Sequence, residues 1–364
     1  MGDRLRDRRG RHRRLPGAAL LRPLRAARRA GPARRAGRPP VRGALPPAPE
    51  AGRPPVTRLW SGRERPTMAG DMNLAAPDRS TMVELNRTTL RLWQWGDPNR
   101  PPVVLVHGGW DHGRMFDGIA PEIAALGFHA VAVDLRGHGD SGRLGGSGAC
   151  WLAWNLDLAL LIGYLGRPAG LVGHSMGGGQ ALSVAGAFPD LVTWVVCIDG
   201  LGPSFEGTGD ADHGELVAQW LEGAEALTTS PPRTYATVEE MAARRRRVNV
   251  RLPEQWALHL AVHGSRPWPG GGFVWKSDPA MRIGGPGPFG EGVLRAQNRL
   301  IRCPVLALTG SEPDQWSDLS QDTIAGRLAD MRRAHHQVVP GAGHYVHIEQ
   351  PGAVLGHLAG FVGA

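Results

Sequence analysis

Short apolar runs alternate with segments of helical spacing from residue 82 onwards, and this alternation limits the fold more than any other feature. Each run stops at or near a glycine or an aspartate, as a fully buried parallel strand does. The clearest runs are VVLVH, HAVAVD, GLVGH and WVVCID. Segments between them, such as MFDGIAPEIAALG, place their apolar residues at the spacing of a helix. Strands separated by helices predict an α/β fold whose mostly parallel sheet is covered by helices on both faces.

Four further strands complete the predicted sheet. TMVELN and TTLRLWQWG indicate an antiparallel pair ahead of the parallel strands, and CPVLALTG and HHQVVPGAGH indicate two strands near the end of the chain. The sequence therefore predicts an eight-stranded sheet.

The strand rhythm is interrupted between about 203 and 290. Here helical patterns such as HGELVAQWLEGAEAL, TVEEMAARRRRV and PEQWALHLAV follow one another without a strand, and Gly- and Pro-rich joints come after them. We predict a helical cap at 203–290, inserted after the sixth strand, between two parts of the core at 71–202 and 291–364.

Residues 1–70 form a leader of different composition. Residues 1–67 hold 19 arginines and four acids, a balance of +15, whereas the whole chain carries +9, so the remainder carries −6. The leader buries too little apolar surface to offset the entropy lost on ordering, and we expect disorder. The other interpretation is that translation begins at Met68 or Met72. Signal, transit and nucleic-acid-binding roles have weaker support, because prolines interrupt the segment and no aromatic residue precedes Trp60.

The mildly acidic body favours neither a nucleic-acid partner nor a membrane contact, and the partner we expect is a small-molecule substrate. No run approaches 18 consecutive apolar residues. Cys150, Cys197 and Cys303 are scattered and form neither a metal-binding pair nor a disulfide framework, which fits a cytoplasmic protein without a metal or other cofactor. The sequence is silent on oligomeric state.

Ser175 lies in GLVGHSMGGGQ, directly after a predicted strand and directly before a predicted helix. The pattern G-x-S-x-G is short and the chain holds 52 glycines, so the pattern alone is weak. The strand–turn–helix setting is the one that a nucleophile elbow requires, and the helix N-terminus favours developing negative charge. We predict Ser175 as a nucleophile.

A serine nucleophile needs a base, and the base needs an orienting acid. His344 follows the last predicted strand, at the sheet edge where active-site loops gather, and is the predicted base; His347 is the less favoured substitute. Asp314 follows the strand PVLAL and is the favoured acid. Asp199, at the end of VVCID, and Glu312 remain alternatives.

Backbone donors and tryptophans complete the predicted site. Gly109 in VHGGW and Met176 after the serine are the expected oxyanion-hole donors. Trp110, Trp220 and Trp256 are candidate substrate-binding residues, although cap tryptophans could equally pack cap against core. The stretch RRRR at 244–247 is interpreted as a solvated helix face rather than an anion site.

Five ordered motifs resemble those of the α/β-hydrolase fold superfamily: VVLVHGGW, VAVDLRGHGDSG, GLVGHSMGGG, VLALTGSEPD and VPGAGHYVHIEQP. The resemblance covers about 82–363 and implies Ser175, Asp314 and His344 as the triad. Two departures matter. The acid loop is one residue longer than the usual G-x-x-D spacing, which keeps Asp199 open, and the leader has no counterpart in the family.

The serine favours acyl transfer to water, because family members that act on haloalkanes and epoxides carry an aspartate at this position. We predict a serine hydrolase that cleaves a small, fairly apolar carboxylic ester or lactone through an acyl-enzyme on Ser175. A cofactor-free haloperoxidase or perhydrolase, a carbon–carbon bond hydrolase and a ligand-binding protein of low turnover are the alternatives.

Overall fold

The structure is a computed structural model that describes residues 74–144, 151–205, 215, 222–223, 231–282, 290–317 and 319–363. All of them belong to one compact unit, Met68–Ala364. The predictions made for the leader, for Cys150, for Trp220 and for most of the first cap helix therefore lie outside the described residues.

Eight strands form the main sheet, in the spatial order β1-β2-β4-β3-β5-β6-β9-β10. Only β2 runs antiparallel to its neighbours; every other pairing is parallel. The predicted fold class is confirmed. The strands are β1 (Arg79–Leu85), β2 (Thr88–Trp95), β3 (Pro102–Val106), β4 (His129–Asp134), β5 (Ala169–His174), β6 (Val192–Ile198), β9 (Val305–Gly310) and β10 (Ala334–Val339), and β7 (Ser265–Pro267) and β8 (Phe273–Trp275) form a separate pair.

Helices cover both faces of the sheet, because successive residues of each buried strand point to opposite sides. Val104 and Val106 of β3 belong to one apolar cluster, and Val103 and Leu105 to the other. The first cluster packs beneath α2, α3 and α7, and the second beneath α1 and α9. The helices are α1 (Ala120–Ala125), α2 (Trp151–Leu165), α3 (Met176–Ala187), α4 (Val238–Val248), α5 (Glu254–Gly264), α6 (Glu291–Asn298), α7 (Gln321–Ala329), α8 (Val346–Glu349) and α9 (Pro351–Gly363).

The described part of the cap, 231–282, follows β6 in the chain and contains α4, α5 and the β7–β8 pair. Its buried apolar side chains join the cluster of the sheet face that carries α1 and α9, except Met281, which belongs to the cluster of the opposite face. The short β7–β8 hairpin was not predicted. It forms within SRPWPGGGFVW because Gly271 and Gly272 both have positive φ, +95° and +73°, which lets the chain reverse in a few residues.

Parallel pairing brings the carboxyl ends of the central strands to one edge of the sheet. Val106 is paired with Gly173, Gly173 with Cys197, and Cys197 with Ala307. The loops that follow β3, β5, β6 and β9 therefore leave the sheet side by side, and these are the loops that carry the predicted site residues.

Candidate active site

Ser175 stands on a sharp turn between β5 and α3. Its φ of +52° and ψ of −121° are rare for a residue with a side chain and mark local backbone strain. Close approaches on either side require glycine. A Cβ on Gly173 would lie 2.3 Å from the carbonyl oxygen of Gly177, and a Cβ on Gly177 would lie 2.1 Å from that of Val106. The turn therefore has the strand–turn–helix geometry that the sequence indicates for a nucleophile elbow.

His344 lies on the loop after β10 and lines the same cavity as Ser175. Its Nδ1 lies 2.6 Å from Oδ2 of Asp199, and both side chains are largely buried. His174, directly before the nucleophile, holds the loop in place because its Nε2 donates to the carbonyl oxygen of His344 at 3.0 Å. Burial lowers the pKa of His174, which keeps that ring neutral.

The structure does not bring the favoured acid, Asp314, to the imidazole of His344. The Asp314 carboxylate accepts backbone N–H groups, from His344 at 3.3 Å and from Trp316 at 3.0 Å, and it does not meet the imidazole. Glu312 accepts instead from the hydroxyl of Ser311 at 3.0 Å. The alternative, Asp199, is the carboxylate that reaches His344, so the chain order serine, acid, histidine is retained.

Asp199 is positioned by the end of β6. Its φ is +45°, a conformation that aspartate tolerates better than most residues. The backbone N–H of Asp199 donates to the carbonyl oxygen of Leu308 at 2.7 Å, which fixes the residue against β9. The hydroxyl of Ser317 donates to the same Oδ2 that meets His344. The side chain is therefore held from two directions, as an orienting carboxylate should be.

Gly109 and Met176 each line a cavity that Ser175 also lines. Met176 is the first residue of α3, so its N–H has no partner within the helix. A Cβ on Gly109 would meet nothing within 4 Å, whereas one on Gly108 would lie 2.9 Å from Nδ1 of His174. Gly108 is thus the sterically required glycine of this loop. The donor roles of Gly109 and Met176 stay predictions.

Ser175 opens onto two cavities. The cap-side cavity, of about 300 Å³, lies between the sheet edge and α4, and the loop-side cavity, of about 610 Å³, lies against the loops after β6 and β9. Trp110 and Trp316 line both cavities, with ring centroids 5.8 Å apart. Trp110 therefore lies where a substrate-binding residue was expected.

Trp256 was also expected to bind substrate, but the structure places it away from both cavity linings. Trp256 is buried in the cluster that joins α5 to the sheet, outside the linings of both cavities. Its ring packs against His259, with centroids 5.3 Å apart, and its Cζ2 would lie 2.9 Å from a Cβ on Gly118. Trp256 thus packs cap against core, the other interpretation considered for the cap tryptophans.

A model of the alpha/beta hydrolase family matches residues 103–356. The chain belongs to the alpha/beta hydrolase family. A probable serine hydrolase of Drosophila melanogaster is 26% identical over 276 residues, which cover 74% of this chain and 82% of that protein. An esterase of Mycobacterium tuberculosis is 27% identical over 281 residues, 72% of this chain and 82% of that protein. A solved structure of a hypothetical protein from Pseudomonas aeruginosa PAO1 is 27% identical, with a TM-score of 0.70, and covers 78% of this chain and 99% of that one. The predicted family and hydrolase class are confirmed.

A polar network at the cap-side cavity of this hydrolase was not predicted from the sequence. Arg245 of α4 pairs with Asp111 and donates to the Tyr345 hydroxyl at 2.9 Å, and that hydroxyl donates to Asp111 at 3.2 Å. Burial raises the pKa of Tyr345, so the phenol stays protonated. The sequence signals for the contact between Arg245 and Asp111 are the RRRR stretch and the aspartate after VHGGW. The two residues are 134 positions apart, and no spacing rule predicts that they meet.

One group of side chains in the described part of the hydrolase has the spacing of metal ligands. Donor atoms of Asp117, His259 and His263 all lie within 4.8 Å of one another, and none of the three lines either cavity beside Ser175. The Nε of Arg114 donates to both carboxylate oxygens of Asp117, at 2.9 and 2.8 Å, so a guanidinium already neutralises the carboxylate. A cation would have to displace this ion pair. Within the described ranges, none of the helices is long and apolar enough to cross a membrane.

Proposed function

We propose that this hydrolase cleaves a small, fairly apolar carboxylic ester or lactone through an acyl-enzyme on Ser175. The observation that carries the proposal is the combination of a strained serine and a histidine on one cavity, with a carboxylate 2.6 Å from Nδ1 of that histidine. This constellation is the one that activates a serine hydroxyl in acyl transfer. The names of the relatives, a probable serine hydrolase and an esterase, support the same chemistry.

In the proposed mechanism His344 removes the proton of the Ser175 hydroxyl as its oxygen attacks the substrate carbonyl carbon. Asp199 keeps the Nδ1 proton in place and stabilises the imidazolium that forms. The N–H groups of Gly109 and Met176 stabilise the tetrahedral oxyanion, each by about 3 kcal/mol. His344 then protonates the leaving alcohol. A water molecule, deprotonated by the same ring, releases the acid and restores Ser175, so the mechanism calls for no metal and no other cofactor.

The smaller, cap-side cavity supports a short acyl or alcohol group. The cap-side cavity, at about 300 Å³, is at the lower end of the volumes that hold small ligands. Trp110, Met241 and Val274 supply apolar surface there. We expect rates to fall once the acyl chain exceeds what this volume accommodates.

The test is hydrolysis of p-nitrophenyl esters from acetate to palmitate by the wild type, Ser175→Ala and a control, Ser80→Ala on the exposed surface of β1. The wild type should prefer short chains, and Ser175→Ala should lower kcat by about 10⁴-fold or more. The control should match the wild type. A Ser175→Ala variant as active as the wild type would overturn the proposal.

A further inference from the structure

The cap-side cavity contains arginines that the mechanism does not use. One face of α4 lines it with Met241, Arg244, Arg245 and Val248, residues three or four apart that share one side of a helix. The expectation that 244–247 is a solvated face therefore holds for only part of the stretch. Two of its four arginines lie on the same cavity as Ser175.

The two cavity arginines differ in their partners. The side chain of Arg245 is 10% exposed and is neutralised by the Asp111 carboxylate, which is 1% exposed. This buried pair fixes the last turn of α4 over the cavity. Arg244 is exposed, and it forms no ion pair or hydrogen bond with any residue that the structure describes.

The carboxylates of the same cavity are already engaged. Asp111 pairs with Arg245 and accepts from Tyr345, and the two oxygens of Asp278 accept the backbone N–H groups of Leu144 and Ala280. A further arginine of the lining, Arg233, lies over the ring of Tyr235 at 5.4 Å. Three described arginines thus line the cavity with two described carboxylates, an excess of one positive charge, and Arg244 and Arg233 are the two that form no ion pair with a described carboxylate.

We propose that the small ester cleaved by this hydrolase carries a carboxylate at one end of an otherwise apolar chain, and that Arg244 binds that carboxylate. A guanidinium forms bidentate, charge-assisted hydrogen bonds with a carboxylate, and an unpaired arginine in a small cavity offers this fork without first breaking another ion pair. The apolar side chains of the cavity contact the carbon chain between the carboxylate and the ester group. This inference rests on the proposed function, because it names the substrate class of the same site.

The experiment separates the anion site from the chemistry by measuring binding without turnover. Glutaramate has an amide where a substrate would have its ester and a carboxylate at the far end; pentanamide lacks the charge. Calorimetric titration should show that the wild type binds glutaramate about 10- to 100-fold more tightly than pentanamide. Arg244→Gln should lose most of that preference. The matched control is Arg247→Gln, an exposed arginine on the same helix and outside the cavity lining, which should keep it.

Kinetics with two charged esters locate the carboxylate. p-Nitrophenyl hemiglutarate carries it on the acyl side, and the pentanoate ester of 3-hydroxybenzoate carries it on the leaving group. A lower KM for either, relative to its uncharged counterpart, supports the proposal when Arg244→Gln abolishes the difference. Equal binding of glutaramate and pentanamide, or a preference that survives Arg244→Gln, overturns it. Fluorophosphonate labelling is independent of this charge, so a failed anion site is distinguishable from a failed nucleophile.

Discussion

Replacing Asp199 by asparagine tests which carboxylate orients His344. Asparagine tolerates the positive φ of +45° at this position and preserves the shape of the side chain, so the change removes charge with little effect on the backbone. The matched substitution is Asp314→Asn. Among the described residues, the Asp314 carboxylate accepts only the backbone N–H groups of His344, at 3.3 Å, and Trp316, at 3.0 Å, and the carbonyl oxygen of an asparagine side chain can also accept them.

The expected effect follows from the distance of 2.6 Å between Nδ1 of His344 and the Asp199 carboxylate. At an effective dielectric constant of about 20, Coulomb's law gives about 6 kcal/mol for an imidazolium and a carboxylate at this separation. Each 1.4 kcal/mol of barrier changes the rate about tenfold, so loss of this interaction could lower kcat by up to about 10⁴-fold. The corresponding substitution in Ser-His-Asp enzymes lowers kcat by about 10⁴-fold. Asp314→Asn should cost about tenfold at most.

The assay is steady-state hydrolysis of a short p-nitrophenyl ester at pH 8, with thermal unfolding as a check that both variants are folded. Asp199→Asn should lower kcat by three to four orders of magnitude, roughly, and leave KM within about threefold. A larger loss in Asp314→Asn than in Asp199→Asn would refute the reasoning, because the acid would then lie on the loop after β9.

Three further predictions concern stability. Gly177→Ala should lower the free energy of unfolding in urea by about 3 kcal/mol or more, because its Cβ would lie 2.1 Å from the carbonyl oxygen of Val106. Arg327→Met should cost about 3 kcal/mol by calorimetry, because its fully buried guanidinium donates to the carbonyl oxygens of 201–203. Burial lowers the pKa of His107 to about 4 in the folded protein, whereas the same imidazole has a pKa of about 6.5 in the unfolded chain. As the pH falls, the imidazole is therefore protonated in the unfolded chain before it is protonated in the folded protein. Lowering the pH from 7 to 5 should therefore reduce the contribution of His107 to the free energy of unfolding by about 2 kcal/mol. His107→Gln should make the free energy of unfolding depend less steeply on pH, and an unchanged slope would contradict this.

The sheet and the nucleophile turn were predictable because local sequence determines both. HAVAVD is the strand His129–Asp134 residue for residue, because a short, mostly apolar run rich in β-branched residues fits a parallel strand buried on both faces. The serine turn depends on glycines at fixed offsets from Ser175, and the steric need for them is visible in the sequence pattern. Both features are set within about ten residues of chain.

The acid and the pocket residues depend on contacts between distant segments, and there the sequence was a poorer guide. Asp199 and Asp314 both follow sheet strands, and the loop conformations decide which one meets His344. Trp256 is a large aromatic residue of the kind that often lines pockets, but it lies on the face of α5 that packs on the sheet. Arg245 pairs with Asp111 only because the tertiary structure places α4 next to the loop after β3.

The central claim is that Ser175 is an activated nucleophile, and the most direct measurement is covalent labelling with a fluorophosphonate followed by peptide mapping. The account predicts one adduct per molecule, on the peptide that contains Ser175, absent in Ser175→Ala and present in Ser80→Ala. An adduct on a different residue, or no adduct on folded wild-type protein, would contradict it.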